Sequence, residues 1–311
     1  MNVLIIIPYF GESPVWMDYL LQTCAFNSSI HWLFYTDITK PAICPENIRF
    51  ESKTMDDFNM LASQKLDLNI EIVHPYKICD LRPAFGHIFS DYLDNYDIWG
   101  YADLDLVFGD ISTFLPADLL ENHDVFSVRK GYLSGHFALY KNTEVINGLY
   151  TKSSMHKQIF QDAQHHYAFD ERSNIFGRRI YDRSLLIGQW RILRHLMSLI
   201  RKIRLRKSPS LKKMEFRDMT SITQSLSDSG EIKLYQQDMV RSDLWYEKND
   251  INSWEIVWKD GTVRDIRTGE KFLHFHFIKS KRTKKFQIKS YQPGTEFRIK
   301  PTGIMPVLAQ G

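Results

Sequence analysis

The order of apolar runs along residues 1–115 constrains the fold more than any other feature of this chain. The strand-like runs are Val3–Ile7, His31–Thr36, Ile48–Glu51, Asn69–His74 and Asp97–Leu104. Helix-like or loop segments separate them, and residues 79–93 have helical periodicity. This alternation predicts an α/β fold with a mostly parallel central sheet and helices on both faces.

Composition supports a globular protein without a nucleic-acid partner. The chain has 311 residues, of which 43% are hydrophobic and 14% aromatic, enough for one large domain or for one with an added subdomain. Lys plus Arg total 40 against 37 Asp plus Glu, a net charge of +3. So small an excess gives no reason to expect binding to nucleic acid.

The cysteines and the N-terminal residues indicate in which cellular compartment the protein should be found. Cys24, Cys44 and Cys79 lie far apart without a CxxC spacing, which is typical of a reducing compartment and argues against a cysteine zinc site. The run Val3–Ile7 lacks a preceding basic segment and is much shorter than a membrane-spanning helix. We therefore expect a buried first strand, no signal peptide and a cytoplasmic location.

The stretch "DIWGYADLDLVFGDI" places two acids, Asp103 and Asp105, at the end of an apolar run. Alternate residues of a strand point to the same face, so the two carboxylates should lie close together. One alternative is that one acid caps the following turn and the other is solvated. Paired carboxylates at the carboxyl end of a strand also suit Mg²⁺ or Mn²⁺, which keeps coordination positions for water and a diphosphate. We interpret the pair as a metal site.

Six motifs, one of which contains the acid pair, occur in a recognisable order: "PYFG", "PYKICDLRPAFG", "YADLDLVFGD", "SGHFALY", "HHYAFDE" and "HFHFIKSK". The set resembles GT-A glycosyltransferases of a bacterial family found among polysaccharide-biosynthesis proteins, distantly similar to glycogenin and to the glucosylating clostridial toxins. The resemblance extends to about residue 280 and leaves most of residues 175–271 uncovered. It implies a GT-A-like, Rossmann-like sheet with a helical insertion.

The resemblance assigns the donor side of the site to the first motifs. Asp80 and Arg82 match the Asp and Arg that hold the donor sugar and its phosphate in toxin-like relatives, with Lys77 as a further candidate. The alternative for these residues is a helix cap with a surface ion pair. The nucleotide pocket would be lined by Pro8, Tyr9 and Phe10.

The middle motifs carry the candidate catalytic residues. Gly135 would let the sugar approach the backbone closely, and His136 would bond a sugar hydroxyl, unless it is a satisfied buried histidine. Asp170 and Glu171 match the position of an acid near the anomeric carbon in glycogenin-like enzymes. Acids in a first helical turn would explain the same pair.

The C-terminal "HFHFIKSK" alternates like a strand, so His274 and His276 share one face. Glycogenin-like enzymes carry a histidine metal ligand followed by a lysine for the diphosphate. His274 with Lys279 and His276 with Lys281 have the same separation, so spacing does not choose between them. We favour His276 as the ligand and Lys279 as the phosphate contact; a merely basic edge strand is the alternative.

These assignments predict a metal-dependent glycosyltransferase that moves a sugar from a nucleotide-diphosphate sugar, with a UDP-sugar favoured, to a glycan acceptor in bacterial surface polysaccharide synthesis. The resemblance implies retention at the anomeric carbon, whereas Asp170 or Glu171 acting as a base would give inversion. A nucleotidyltransferase and a non-enzymatic carbohydrate- or polyanion-binding protein are the alternatives.

Residues 175–270 are expected to form a helical, basic, acceptor-side region between a 1–174 nucleotide-sugar-binding core and a 271–311 segment that closes the site. Within it, residues 189–207 read as an amphipathic helix with a basic face. Such a helix can lie on an anionic membrane beside a lipid-linked glycan acceptor, or can pack on the core. The first alternative makes the protein peripheral at the inner face of the cell membrane.

Overall fold

The computed structural model describes residues 1–171, 218–246, 254–289 and 291–307. Its strands are β1 Val3–Tyr9, β2 Ile30–Thr36, β3 Ile48–Ser52, β4 Ile98–Ala102, β5 Leu106–Phe108, β6 Val125–Ser127, β7 Phe137–Lys141, β8 Leu234–Gln236, β9 Val240–Ser242, β10 Ile256–Lys259, β11 Thr262–Asp265, β12 Lys271–Phe272, β13 His274–His276, β14 Gln287–Ile288, β15 Phe297–Lys300 and β16 Gly303–Pro306. Its α-helices are α1 Met17–Phe26, α2 Met55–Leu66, α3 Phe85–Ile88, α4 Ile111–Phe114, α5 Ala117–Asn122, α6 Glu144–Asn147, α7 His156–Gln161 and α8 Met219–Asp228. Its 3₁₀ turns are Pro75–Ala84, Ser90–Tyr92, Leu149–Lys152, Asp243–Trp245 and Ser280–Arg282.

The central sheet has the strand order β3-β2-β1-β4-β7-β6-β8. Its first four strands run parallel, β7 is antiparallel to both β4 and β6, and β8 is parallel to β6. The predicted α/β class with a mostly parallel central sheet is confirmed. Because β1, β2 and β4 are parallel, their carboxyl ends meet at one edge of the sheet, where loops can carry a site.

Helices cover both faces of this sheet, as predicted. On one face Val3, Ile5 and Ile7 of β1 pack in a buried cluster with four residues of α1. On the other face Leu4 and Ile6 pack with residues of α2 and α3. Helix α2 begins with a capping box, in which the Thr54 hydroxyl accepts from the Asp57 amide and the Asp57 carboxylate accepts from the Thr54 amide.

Two smaller sheets complete the described structure. A three-stranded sheet has the order β5-β13-β9, with β13 antiparallel to β5 and parallel to β9. A six-stranded sheet has the order β12-β11-β10-β15-β16-β14. The pairing of His276 with Leu106 places the C-terminal motif beside the acid-bearing turn, although the two are far apart in sequence.

Two predicted strands require correction. Asn69–His74 is not a strand: its backbone is satisfied by helix α2, where Asn59 bonds the amide and carbonyl of Ile72 and Ser63 bonds those of Ile70. The run that was expected to continue to Leu104 ends at Ala102. The acid pair therefore lies in the turn between β4 and β5 and not within a strand.

The described part of residues 175–270 contains helix α8 and strands β8 to β11. The amphipathic segment 189–207 lies outside the described residues. In the described ranges, no helix combines the length and the apolar character needed to cross a membrane.

Candidate active site

The two acids of the candidate site sit at the edge where the parallel strands end. Asp103 directly follows β4, and its amide donates to the carbonyl of His136 at 3.0 Å. Asp105 immediately precedes β5, and its carbonyl accepts from the amide of Phe277 at 3.2 Å. The Asp103 side chain is 27% exposed, whereas that of Asp105 is buried. One carboxylate is thus open to solvent and the other is held inside.

Strand β13 brings a histidine and a lysine to the buried acid. His276 Nε2 lies 3.1 Å from Oδ2 of Asp105 and 4.0 Å from Oδ2 of Asp103. Lys281 Nζ lies 2.5 Å from the same oxygen of Asp105. Burial acts to raise the pKa of Asp105, but the contacts with His276 and Lys281 outweigh it and hold the pKa below its usual range. Burial acts to lower the pKa of His276, but the neighbouring Asp105 carboxylate outweighs burial and raises this pKa above its usual value.

Arg82 neutralises Asp103, the partly exposed acid of the pair. Its guanidinium pairs with Asp103, donates to the carbonyl of Gly135 and lies 3.1 Å from Asp170 Oδ2. Its Cζ atom is 5.1 Å from the ring centroid of Tyr101, so the guanidinium also makes a cation–π contact with this ring. Cations of the chain itself therefore offset the repulsion that the acid pair creates.

The donor atoms of Asp103, Asp105 and His276 all lie within 4.8 Å of one another. Two carboxylate oxygens and an imidazole nitrogen form a donor set that fits Mn²⁺ or Mg²⁺. His274 is not part of this group. Of the two histidines that the sequence could not separate, the geometry places His276 with the acids.

Lys77 and Asp80 form a buried pair beneath the site. Lys77 Nζ lies 2.8 Å from Asp80 and donates to the Ile159 carbonyl at 2.7 Å. Asp80 also accepts from the amides of Tyr167 and Phe169, at 2.8 and 2.9 Å. Both side chains are almost fully buried, and the pair fixes the loop that leads to Asp170.

Gly135 faces the second pair of acids. A Cβ atom at this position would lie 3.0 Å from Glu171 Oε2 and 3.2 Å from Asp170 Oδ2, so the absence of a side chain makes room for both carboxylates. Burial raises the pKa of Asp170, and the charge of Arg82 acts in the opposite direction. The geometry thus joins Asp170 to Asp103 through one arginine.

Three histidines cluster behind the acid pair. The His136 ring centroid lies 5.0 Å from that of His274 and 4.7 Å from that of His276, so the two strand histidines do share a face. His136 Nδ1 lies 3.1 Å from Ser134 Oγ. Both His274 ring nitrogens are buried, without a hydrogen-bond partner among the described residues. Burial lowers the pKa of His136 and of His274.

The end of β1 has mixed surroundings. Pro8 and Tyr9 are partly exposed, and the Tyr9 hydroxyl donates to the Glu12 carbonyl at 2.8 Å. Phe10 is buried, with its ring centroid 6.4 Å from that of Tyr35, and belongs to the core on one face of the sheet.

Two residues near the site were not predicted from the sequence. Trp16 Nε1 donates to the Leu104 carbonyl at 2.8 Å, and Lys281 Nζ lies 5.7 Å from the Trp16 ring centroid. The Asp243 carboxylate accepts from the amides of Lys279 and Ser280, at 3.0 and 2.6 Å. The only sequence signal for Trp16 was the presence of a tryptophan soon after the first strand. No sequence signal pointed to Asp243.

Comparison with known proteins adds the family. A profile described as a family of unknown function, DUF6625, matches residues 5–307. The chain belongs to the DUF6625 family. A search of curated proteins finds no match.

Two solved structures show distant similarity to this DUF6625 protein. One is the galactosyltransferase LgtC in complex with donor and acceptor sugar analogs, with 13% identity, a TM-score of 0.30, and coverage of 53% of this chain and 66% of that chain. The other is an active-site mutant of LgtC, with 9% identity, a TM-score of 0.35, and coverage of 89% and 87%.

Proposed function

We propose that this DUF6625 protein is a metal-dependent glycosyltransferase that uses a nucleotide-diphosphate sugar. The observation that carries the proposal is the convergence of Asp103 and Asp105 with His276 at the carboxyl edge of a mostly parallel sheet. Lys281 and Arg82 lie against the same acids, so cationic and metal-binding groups are concentrated at one point. Such a combination can stabilise the negative charge of a departing diphosphate.

The residues would divide the work as follows. Asp103, Asp105 and His276 would hold Mn²⁺ or Mg²⁺, which supplies Lewis-acid stabilisation of a departing diphosphate. Arg82 and Lys281 would bind the phosphates, with Lys279 as a further contact. Pro8 and Tyr9 would border the nucleotide, whereas Phe10, which was expected beside them, packs in the core.

The sugar itself would lie near the second pair of acids. Asp170 and Glu171 would contact its hydroxyls, with Gly135 packed directly beside these acids and His136 as a further contact. His274 would lie on the same strand face as His276 without binding the metal. The Lys77–Asp80 ion pair would hold in place the loop that leads to Asp170. We propose retention at the anomeric carbon, which NMR of the product against the donor would test; an inverted product would contradict it.

We also propose which part of the chain binds each substrate and where in the cell the reaction takes place. Residues 1–174 would bind a UDP-sugar, residues 175–270 would face the glycan or lipid-linked acceptor, and residues 271–311 would close the site. The reaction would take place in the cytoplasm at the inner face of the membrane, in the synthesis of a bacterial surface polysaccharide.

The test is donor cleavage by the purified protein. We expect release of a nucleoside diphosphate from one member of a panel of nucleotide sugars in the presence of Mn²⁺, and loss of that release in excess chelator. Asp103→Asn should lower the rate by about a hundredfold or more because it removes a ligand charge. Its side chain is partly exposed, so the fold should tolerate the change.

Glu255→Gln is the matched control. Glu255 is 24% exposed, pairs with Arg298 and Lys300 of β15, and is not part of the group that could hold the metal, so the loss of its charge should leave the rate unchanged. Equal rates for the Asp103 variant and the wild type would remove the metal assignment. Release of a sugar 1-phosphate in place of a nucleoside diphosphate would indicate nucleotidyl transfer.

A further inference from the structure

A cavity of about 610 Å³ lies beside the three-stranded sheet. Segments from separate parts of the chain line it: the end of helix α4, the turn after β6, residues 237–241, the Trp245 turn and residues 270–272. Its volume is within the range of small-molecule sites. Trp245 is 43% exposed, which is unusual for so large an apolar side chain.

Two arginines of this cavity are oriented by aromatic rings. Arg129 Cζ lies 4.1 Å from the Trp245 ring centroid, and Arg129 Nε donates to the Tyr132 hydroxyl at 2.9 Å. Arg241 Cζ lies 5.8 Å from the Trp245 centroid and 5.5 Å from that of Phe272. Stacked guanidinium groups lose less side-chain freedom when they bind an anion, so the pair is pre-organised.

The charges of the cavity favour an anionic ligand. Its charged lining comprises Arg129, Arg241, Lys271, Asp238 and Glu270. Both acids pair with the arginines, but their side chains are 56% and 49% exposed, whereas the arginines are more buried. Exposed ion pairs contribute little, so a ligand carboxylate or phosphate can displace these acids.

The cavity adjoins the candidate active site through one pair of strands. Strand β9 runs beside β13, with Arg241 opposite Phe275 and Ser242 opposite His276. Neighbouring strands are only about 4.8 Å apart. The cavity is therefore bounded by the strand next to the one that carries His276; Arg241, in register with Phe275, faces the other side of this sheet.

We propose that this cavity binds an anionic sugar unit of the acceptor glycan. Arg129 and Arg241 pair with its carboxylate or phosphate, and the exposed part of the Trp245 ring packs against an apolar sugar face. The identity of the occupant as an acceptor rests on the proposed function, whereas the binding itself does not.

Calorimetric titration of the full chain, without metal or donor, tests the proposal. The probes are tetragalacturonic acid, maltotetraose carrying one phosphate, and neutral maltotetraose. We expect at least one anionic probe to bind about tenfold or more tightly than the neutral one, and to weaken as salt rises. The two anionic probes distinguish a carboxylate from a phosphate ligand. Equal binding of all three, or none, would overturn the proposal.

Variants locate the binding. Arg241→Gln and Trp245→Ala should each weaken the anionic probe by about tenfold, and Arg241→Lys should keep part of the affinity because it keeps the charge. Arg298→Gln is the control: Arg298 also pairs with a glutamate and has a buried Nε without a partner in the described residues, but it lies outside the cavity. If the Arg298 variant loses as much affinity as the Arg241 variant, the site is not this cavity.

Donor cleavage separates this proposal from the proposed function. A protein that cleaves its donor but binds no anionic probe keeps its function and loses this site. A protein that binds the probe through Arg241 and Trp245 but cleaves no donor keeps the site, and the glycosyltransferase proposal fails.

Discussion

At the scale of the residue, the acid pair depends on cations supplied by distant parts of the chain. Asp103 is paired with Arg82, and Asp105 with His276 and Lys281. A lone buried carboxylate would be costly, and these contacts offset that cost. The same charges suit a metal diphosphate, so one arrangement serves both the fold and the proposed chemistry.

Lys281 and Lys279 give a sharp comparison. Lys281 Nζ contacts Asp105 directly, whereas Lys279 is held through its backbone amide by Asp243. We expect Lys281→Gln to lower the rate of donor cleavage by about tenfold or more, and Lys279→Gln to lower it much less. Steady-state kinetics of both variants measures this. The reverse order would favour the lysine chosen from the sequence.

At the scale of the element, side chains of helix α2 replace a missing strand partner. Asn59 and Ser63 satisfy the backbone of the extended segment 69–74, which joins no sheet among the described strands. Hydrogen bonds from side chains are a recognised substitute for a sheet ladder. This explains how an apolar run that resembles a strand can remain outside the sheet.

Asn59→Ala should therefore destabilise the protein. It removes the partner of both the Ile72 amide and the Ile72 carbonyl, at 3.1 Å each, and we expect a loss of roughly 1–3 kcal/mol in the free energy of unfolding. Met60→Ala is the control on the same helix, because Met60 is exposed. Urea denaturation gives both values. Similar values for the two variants would mean that the helix does not hold the segment.

At the scale of the whole molecule, the C-terminal sheet supports the strand that follows the acids. Trp258 of β10 donates from Nε1 to the Phe108 carbonyl at 2.9 Å, and its ring stacks on Phe297. Tyr19 of α1 packs on Phe297 as well. The described parts before residue 172 and after residue 253 thus share one core, and β5 lies where they meet.

Trp258→Phe tests this connection. The substitution leaves the buried Phe108 carbonyl without its indole donor, so we expect a loss of roughly 1–3 kcal/mol beyond the change in packing. Trp32→Phe is matched to it, because Trp32 is also buried and its Nε1 has no partner in the described structure. Thermal or urea unfolding compares them. A loss for Trp32→Phe equal to that for Trp258→Phe would show that the hydrogen bond contributes little.

The sequence by itself determined the α/β class, most strands of the central sheet and the position of the acid pair. These features follow from local periodicity, because an apolar run and the residues that end it lie within a short stretch of sequence. The shared face of His274 and His276 was predictable for the same reason.

Only the tertiary structure decided which histidine and lysine meet Asp105, and that residues 69–74 leave the sheet. The spacings His274 to Lys279 and His276 to Lys281 are equal, so the choice depends on the register of β13 against β5. That register joins residues more than 160 positions apart, at His276 and Leu106. Such pairing is set by how distant surfaces pack, which no local pattern contains.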